Sequence, residues 1–433
     1  MEEYKESGID WIGKIPQNWE IKRIKYIYNL QTGFTPDTSN IEYYDDENGF
    51  TWVSIADMDK KYISTSKTKI SKLYVEEKHP KKVKKGSLLY SFKLSVGKTA
   101  FNNTDIYTNE AIASFLNEQD VCLDYLYYAS YLIEYNANTN IYGAKILNQN
   151  LINNALIINP PLDEQKIIAK FLDDKISKID FVIESLNKQI NILEKYKKSI
   201  ITNKIVTTFE ELQNNGDNKY FNKVPKDYIK RFKDFFVTNT GLNITKENLI
   251  ENGLNVLSYG QIHSKSNKTT YISEDLIRFV DYKYATNLKS KVNIGDFIFA
   301  DTSEDLEGTG NCVLNDNNEQ LYAGYHTIIA SPKNKEYSKY LAYLFMTDCW
   351  RSQLREIVNG VKVYSITQQI LKNTKIIIPP INKINEITKY LDIECKQIDD
   401  MIDNKQQQIG KLEIYKQSIV YEYVTGKKRV KGE

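Results

Sequence analysis

The stretch of sequence that decides the fold begins at Pro160 and runs to Ile205: PPLDEQKIIAKFLDDKISKIDFVIESLNKQINILEKYKKSIITNKI. A second version begins at Pro379 and runs to Val424: PPINKINEITKYLDIECKQIDDMIDNKQQQIGKLEIYKQSIVYEYV. An offset of 219 residues aligns the two versions without a gap, and they share 17 of 47 residues from position 160 onward. The chain therefore contains an internal repeat, with a period far longer than the ~20 to 50 residues of a solenoid unit.

Each version has the apolar spacing of a long helix that needs a partner. Apolar residues recur in alternating steps of four and three, which is the heptad pattern of a coiled-coil seam. Neither version contains proline after its first two residues, so each predicts a helix of about 40 residues and ~60 Å. We predict that the two helices pack on each other as an antiparallel coiled coil, in preference to lying singly on a globular core. The seam positions are Leu172, Ile176, Ile179, Ile183, Leu186, Ile190, Leu193 and Ile200 in the first version, and Leu391, Cys395, Ile398, Ile402, Ile409, Leu412 and Ile419 in the second.

A globular segment precedes each helix, and the two segments begin alike: Thr32-Gly33 corresponds to Thr240-Gly241. Short runs of β-branched and aromatic residues, bounded by Gly, Asn and Asp, predict strands of mixed α/β domains. The predicted fold class is α+β, with two such domains, two long helices that pair antiparallel, and an internal pseudo-two-fold repeat. The predicted boundaries are 1–158 for the first domain with its N-terminal arm, 159–222 for the first helical region, 223–377 for the second domain and 378–433 for the second helical region.

Composition excludes several classes of protein. The 433 residues include 58 Lys and Arg against 56 Asp and Glu, a net charge of +2, so any nucleic-acid surface must be local. The four cysteines are far apart and form no C-x-x-C pair, which favours reduced core thiols over a zinc site. No apolar stretch approaches the ~18 residues of a membrane span, and the N-terminus does not have the pattern of a secretion signal. We expect a cytoplasmic protein that does not enter membranes.

Motifs for catalysis are weak. The tripeptide at 159–161 is similar to the N-P-P-Y loop of adenine-N6 methyltransferases, but Leu162 stands where the base-stacking aromatic belongs. The chain has neither an F-x-G-x-G loop for a methyl donor nor a Walker G-x-x-x-x-G-K-[ST] motif. Asp37 with the Glu-Glu-Lys run at 76–78 could hold Mg²⁺ in a nuclease, yet a similar Glu-x-Lys pattern occurs at 394–396 inside the second helix. We therefore predict no catalytic residue and no metal site in this chain.

Three segments resemble a known family. YKESGIDWIG at 4–13, PPLDEQ at 160–165 and LEKYKKSII at 193–201 are similar to segments of the specificity (S) subunits of Type I restriction-modification systems. The resemblance covers the whole chain, and its order of two target-recognition domains and two helical regions is the order derived above. The segments at 4–13 and after each Pro-Pro are specific to the family, whereas the target-recognition domains vary within it.

The resemblance implies a non-catalytic subunit that reads a bipartite, asymmetric site on double-stranded DNA, one half per target-recognition domain. It also implies assembly with two adenine-N6 methyltransferase (M) subunits and with ATP-dependent restriction/translocase (R) subunits. No cofactor is expected in this chain, because methyl donor, ATP and Mg²⁺ would belong to the partner subunits. The residues alone leave two other interpretations open: a self-sufficient DNA-modifying or cleaving enzyme, and a coiled-coil scaffold with protein-binding heads.

Candidate DNA contacts lie in loops next to the predicted strands. Lysines neutralise phosphates, polar side chains read base edges, and glycines let the backbone approach a phosphate. For the lysine run at 81–85, a solvated surface loop is an equally good interpretation. The candidates are Lys81, Lys82, Lys84, Lys93, Lys98, Tyr142, Gly143 and Lys145 in the first domain, and Tyr259, Gln261, His263, Gly360, Lys362 and Tyr364 in the second.

Overall fold

A computed structural model of the chain describes residues 3–93, 95–139, 145–208, 220–221, 224–264, 272–316, 320–358 and 363–430. The chain divides into two compact units. The first unit comprises Met1–Leu186 and Gln407–Glu433, and the second comprises Asn187–Gln406. Each unit therefore contains one globular domain, part of the first long helix and part of the second.

The first unit is a mixed α/β domain built on two sheets. A five-stranded sheet has the order β4-β11-β8-β9-β6, and a three-stranded sheet has the order β10-β5-β7. Strands β8 and β11 are buried along their whole length because they lie in the middle of the larger sheet. Its strands are β1 Tyr4–Glu6, β2 Lys14–Pro16, β3 Glu20–Arg23, β4 Leu30–Thr32, β5 Phe50–Val53, β6 Tyr62–Ile63, β7 Lys69–Ile70, β8 Leu88–Ser91, β9 Thr99–Asn102, β10 Tyr107–Thr108, β11 Ile112–Phe115, β12 Asn138–Thr139, β13 Lys145–Ile146 and β14 Leu156–Asn159; its helices are α1 Lys72–Lys78, α2 Leu123–Ala129, α3 Gln149–Asn154 and the start of α4 Leu162–Thr207.

The second unit repeats this plan with different side chains. A four-stranded sheet has the order β16-β25-β21-β23, and a five-stranded sheet has the order β17-β19-β18-β24-β20. Its strands are β15 Ile229–Arg231, β16 Phe236–Thr240, β17 Leu249–Ile250, β18 Leu254–Leu257, β19 Arg278–Val280, β20 Lys291–Val292, β21 Phe297–Ala300, β22 Thr302–Ser303, β23 Cys312–Leu314, β24 Leu321–Ala323, β25 Thr327–Pro332, β26 Tyr364–Ser365 and β27 Lys375–Ile377; its helices are α5 Phe232–Phe235, α6 Tyr259–Ile262, α7 Ser338–Met346, α8 Asp348–Arg355, α9 Gln368–Asn373 and the start of α10 Ile381–Val424.

Strand register confirms that the two domains are copies of one framework. Thr32 pairs with Ala113 between β4 and β11, and Thr240 pairs with Ile328 between β16 and β25. Each threonine is followed by a glycine whose missing Cβ leaves room for the backbone of the neighbouring turn. The matched Thr-Gly pairs of the sequence therefore occupy the same structural position in both domains.

Helices α4 and α10 begin just after the two Pro-Pro pairs, as predicted, because proline favours the first turn of a helix. Within the first unit, Ile176 and Ile179 of α4 share a buried core with Ile419 near the end of α10. Within the second unit, Ile201 near the end of α4 shares a buried core with Ile384 at the start of α10. The helices thus pair antiparallel in each unit, which confirms the predicted seam and the internal repeat.

Two related ion pairs cross this seam. Lys197 Nζ lies 2.7 Å from both carboxylate oxygens of Asp399 in the second unit. Lys416 Nζ lies 2.6 Å from Asp180 Oδ1 in the first unit. The offset of 219 relates Lys197 to Lys416 and Asp180 to Asp399, so the two pairs are copies of each other. Each lysine fills a heptad position that the apolar pattern leaves empty, and a polar seam residue of this kind fixes helix register.

The two copies differ near the start of the helix, where the first has Glu164 and the second has Lys383, and the contacts of these residues differ accordingly. Glu164 near the start of α4 accepts hydrogen bonds from Asn18 Nδ2 at 2.7 Å, Trp19 Nε1 at 2.9 Å and Arg429 at 2.6 Å. This carboxylate therefore ties the N-terminal arm to the C-terminal segment. The equivalent position in α10 is Lys383, which instead pairs within its own helix with Glu386 at 3.4 Å.

Candidate nucleic-acid interface

Three loops meet at one edge of the first domain, because β5 and β10 run parallel and end together. The N–H of Asn109 donates to the carbonyl of Val53 at 2.9 Å, and the N–H of Phe92 donates to Ala111 at 3.0 Å. These bonds join the segments after β5 and β8 to the turn between β10 and β11. We call the described residues of 54–57, 92–98 and 109–111 the first loop edge.

The second domain has the same arrangement. The N–H of Gly324 donates to the carbonyl of Leu257 at 2.8 Å, and the N–H of Asp301 donates to His326 at 3.1 Å. Helix α6 follows β18, as a short turn follows β5 in the first domain. We call residues 258–263, 301–303 and 324–326 the second loop edge.

The lysines predicted in the first domain fall into two groups at opposite ends of β8. Lys81, Lys82 and Lys84 are exposed before the strand begins, and Lys82 Nζ lies 5.8 Å from the centre of the Phe50 ring. Lys93 and Lys98 form the second group. Both lie on the first loop edge, after the strand ends, and both are exposed. Only the second group belongs to the edge where the three loops meet.

Lys98 and Lys145 have different surroundings. Lys98 is exposed in the connection between β8 and β9. Lys145 Nζ lies 2.7 Å from Glu134 Oε2, and a Cβ at Gly97 would overlap the same carboxylate. The charge of Lys145 is therefore partly neutralised within the domain, beside the first loop edge.

Tyr259, Gln261 and His263 lie on or next to α6 at the second loop edge. Gln261 Oε1 accepts a hydrogen bond from the N–H of Ser258 at 3.1 Å and so caps the helix. Tyr364 is half-buried. It pairs with Ser303 between β22 and β26, which places it beside this edge. Of the remaining predicted contacts, Tyr142, Gly143, Gly360 and Lys362 lie outside the described residues.

His263 has partners within the domain for both ring nitrogens. Arg351 donates to Asn311 Oδ1 at 2.7 Å, which orients the amide of Asn311 so that its Nδ2 faces His263 Nδ1 at 3.0 Å. With Nδ1 accepting, His263 Nε2–H donates to the carbonyl of Thr302 at 2.8 Å. This chain of bonds holds the loop after β21 in place, so the structure gives His263 a supporting position.

The structure adds residues that sequence reasoning missed. Glu110 is exposed at the turn of the first loop edge and accepts a hydrogen bond from the Thr35 hydroxyl. That bond lowers the pKa of the Glu110 carboxyl, and the charge of Lys93 lowers it further, so the group is ionised at neutral pH. At the second loop edge, His326 is exposed with its Nδ1 3.2 Å from Asp301 Oδ1.

Two carboxylates of the nuclease-like pattern have hydrogen-bond partners within the first domain. Glu77 of the nuclease-like pattern accepts a hydrogen bond from the Tyr43 hydroxyl at 3.0 Å, and Asp37 accepts one from the Ser39 hydroxyl. Among the described residues, no group of three or more His, Cys, Asp or Glu side chains could hold a metal ion. None of the described helices is long and apolar enough to cross a membrane. Burial raises the pKa of the Cys312 thiol to about 12 and disfavours its reactive thiolate form.

Comparison with known proteins identifies the class of protein to which this chain belongs. The model of the type I restriction modification DNA specificity domain matches residues 16–194 and 225–413. The chain therefore belongs to the family of type I restriction-modification DNA specificity subunits. It is a non-catalytic component of a type I enzyme complex.

Individual relatives are similar to this chain over nearly its whole length or over part of it. The MjaIX specificity subunit of Methanocaldococcus jannaschii is 25% identical over 448 aligned residues, which cover 99% of this chain and 97% of the relative. The EcoBI specificity subunit of Escherichia coli is 26% identical over 207 residues, which cover 45% of this chain and 40% of the relative. A chain solved in a study of complex assembly and conformational transition of the type I system has a TM-score of 0.62 at 14% identity, covering 95% of this chain and 98% of that one. The last comparison shows a shared fold.

Proposed function

We propose that this subunit reads a bipartite, asymmetric site on double-stranded DNA, with one half read by each globular domain. The observation that carries the proposal is the duplicated framework: both domains bring three loops together through matching backbone bonds, but present different side chains there. Matching frameworks give both readers the same way of docking, and different side chains give them different base preferences.

Each part of the chain has a separate role in this function. Residues 1–158 and 223–377 are the two target-recognition domains, and 159–222 and 378–433 are the helical regions that separate them. The subunit directs two adenine-N6 methyltransferase subunits and the restriction subunits to the site, and these partners bring methyl donor, ATP and Mg²⁺. Since a type I complex acts on the DNA of the cell, the expected location is the cytoplasm.

Within each domain, the proposed DNA contacts are those at or beside the loop edges. Lys93 and Lys98 neutralise phosphates, since both are exposed on the first loop edge. Lys145 is a weaker candidate because Glu134 already balances its charge. In the second domain the contacts are Tyr259, Gln261 and Tyr364, and His263 supports them.

A lysine experiment tests this placement. Changing Lys93 and Lys98 together to Ala should reduce the affinity of the assembled complex for DNA and lower the slope of log K against log salt by about 2, because each phosphate contact contributes ~0.9. The matched control is the triple change of Lys81, Lys82 and Lys84 to Ala at the other end of β8, which should change the slope less. A larger effect from the triple change would contradict this placement and indicate that DNA contacts the opposite end of the domain.

Exchange of a whole domain tests the proposed function itself. Replacing residues 16–158 with the homologous domain of another specificity subunit should change one half of the methylated motif and leave the other half intact. The five-stranded and three-stranded sheets of the first domain lie entirely within the exchanged segment, so the exchange transfers them together. Sequencing of methylated adenines in cells that carry the hybrid measures the outcome. A hybrid that altered both halves would contradict one domain per half-site.

A further inference from the structure

The turn at the centre of each loop edge is held by the same backbone bonds in both domains. In the first domain, the N–H of Phe34 donates to the carbonyl of Thr108 at 2.9 Å, just before the turn. In the second, the N–H of Leu242 donates to Ala323 at 2.8 Å. The turns also have the same length, so Glu110 corresponds to Tyr325, and Ala111 to His326.

Close packing fixes the position of both turns. A Cβ on Gly33 would overlap the backbone of Thr108, and a Cβ on Gly241 would overlap the backbone of Gly324. Each turn therefore lies against the strand connection beneath it without space to shift. Side chains on a turn held in this way present their polar atoms in a defined direction, which base recognition requires.

The two turns differ in the chemistry that they present. The first presents the Glu110 carboxylate, held by Thr35 and close to the charge of Lys93. An exposed carboxylate on a DNA-facing surface is repelled by phosphates, but it is the group that accepts a hydrogen bond from the amino group of cytosine. A carboxylate at this turn therefore costs affinity unless it reads a base.

The second turn presents an imidazole on a strained backbone. His326 has a φ of +54°, in the left-handed region that non-glycine residues seldom adopt. Its ring lies 5.4 Å from the Tyr259 ring and 6.0 Å from the Tyr325 ring, and Asp301 holds its Nδ1 at 3.2 Å. The side chain nevertheless remains 58% exposed. Strain of this kind, retained at an exposed position and supported by three neighbours, occurs at functional sites.

We propose that these turns are the specificity-determining positions of the two readers, with Glu110 selecting a base that carries an amino group, cytosine above all, in one half-site and His326 selecting a base in the other. This inference rests on the proposed function and deepens it. The proposed function gives each domain one half-site, and this inference names the residue in each domain that contacts a base.

Two substitutions test the assignment in the assembled methyltransferase complex. Glu110→Gln should relax the requirement at one position of one half-site, with about a tenfold fall in discrimination between the preferred base and the others. His326→Gly should relax one position of the other half-site. Because glycine adopts a positive φ without strain, this variant should unfold at no lower temperature than the wild type. Binding to duplexes substituted at each position, together with the methylated motif in cells, supplies both readouts.

The matched control is Glu118→Gln. Glu118 is also an exposed carboxylate held by a hydrogen bond, from Asn29 Nδ2 at 2.9 Å, but it lies beyond the opposite end of β11. This variant should keep every position of the motif.

Two results would overturn the assignment. One is a motif that stays fully specified in both turn variants, and the other is a uniform loss of affinity with no position relaxed. In either case the proposed function survives if exchange of the whole domain still changes one half of the motif. If that exchange also leaves the motif unchanged, the proposed function itself fails.

Discussion

A complex with four residues inserted after Leu186 and four after Lys405 should methylate a motif with the same two halves and a gap about two base pairs longer. The first insertion point lies at a boundary between the two compact units, and the second lies one residue before the other boundary. Four inserted residues lengthen each helix by ~6 Å. Because they add little more than one helical turn, the apolar seam residues still approximately face the partner helix, as they do at a coiled-coil stutter. Since a base pair rises ~3.4 Å, the added length corresponds to about two base pairs.

The control for this experiment is a two-residue insertion at the same points. Two residues turn the following apolar positions by ~200° away from the partner helix, so this variant should lose its folded seam and its methylation. The motif is read by sequencing methylated adenines. An active four-residue variant that kept the original gap would show that the helices do not set the spacing, and would leave them only a role in docking partners.

Changing Lys197 to Met should destabilise the subunit by about 3 kcal/mol. The side chain of Lys197 is only 9% exposed and that of Asp399 is 29% exposed, so the substitution leaves a mostly buried carboxylate without its cation. The expected loss lies at the lower end of the range for buried pairs, because Asp399 keeps some contact with water. The midpoint of thermal unfolding of the purified full chain should fall by several degrees.

The internal repeat supplies a matched control for this prediction. Lys416 and Asp180 form the equivalent pair with 30% and 50% of their side chains exposed, so Lys416→Met should cost only about 0–1 kcal/mol. Combining Lys197→Met with Asp399→Leu should recover most of the lost stability, since an apolar pair needs no desolvated charge. Equal shifts for Lys197→Met and Lys416→Met would contradict the argument from burial.

The helices were predictable because their signal is local and repeated. The heptad spacing from Leu172 to Ile200 and the Pro-Pro pairs indicate where each helix begins and which face it buries. The lysines at 197 and 416 interrupt the apolar stripe at heptad positions, but the aspartates that balance their charges are visible only in the structure. Those partners lie 202 and 236 residues away in the chain.

The loop edges were harder to predict, since they are made by long-range pairing. Thr32-Gly33 and Thr240-Gly241 were recognised as equivalent, but Glu110 and His326 were missed because the residues around them differ in the two domains. Alignment of YTNEAI at 107–112 with YAGYHT at 322–327 would have exposed the shared turn. The contacts of His263 depend on Asn311 and Arg351, which no local pattern connects to it.

In the proposed function, this chain selects a two-part DNA site for partner enzymes. The most direct test is genome-wide mapping of N6-methyladenine in cells that carry the cognate methyltransferase gene, with and without the gene for this chain. We expect one asymmetric motif, with two specified halves separated by an unspecified gap, to be methylated only when the chain is present. A methylation pattern that is identical in the two cells would contradict the claim.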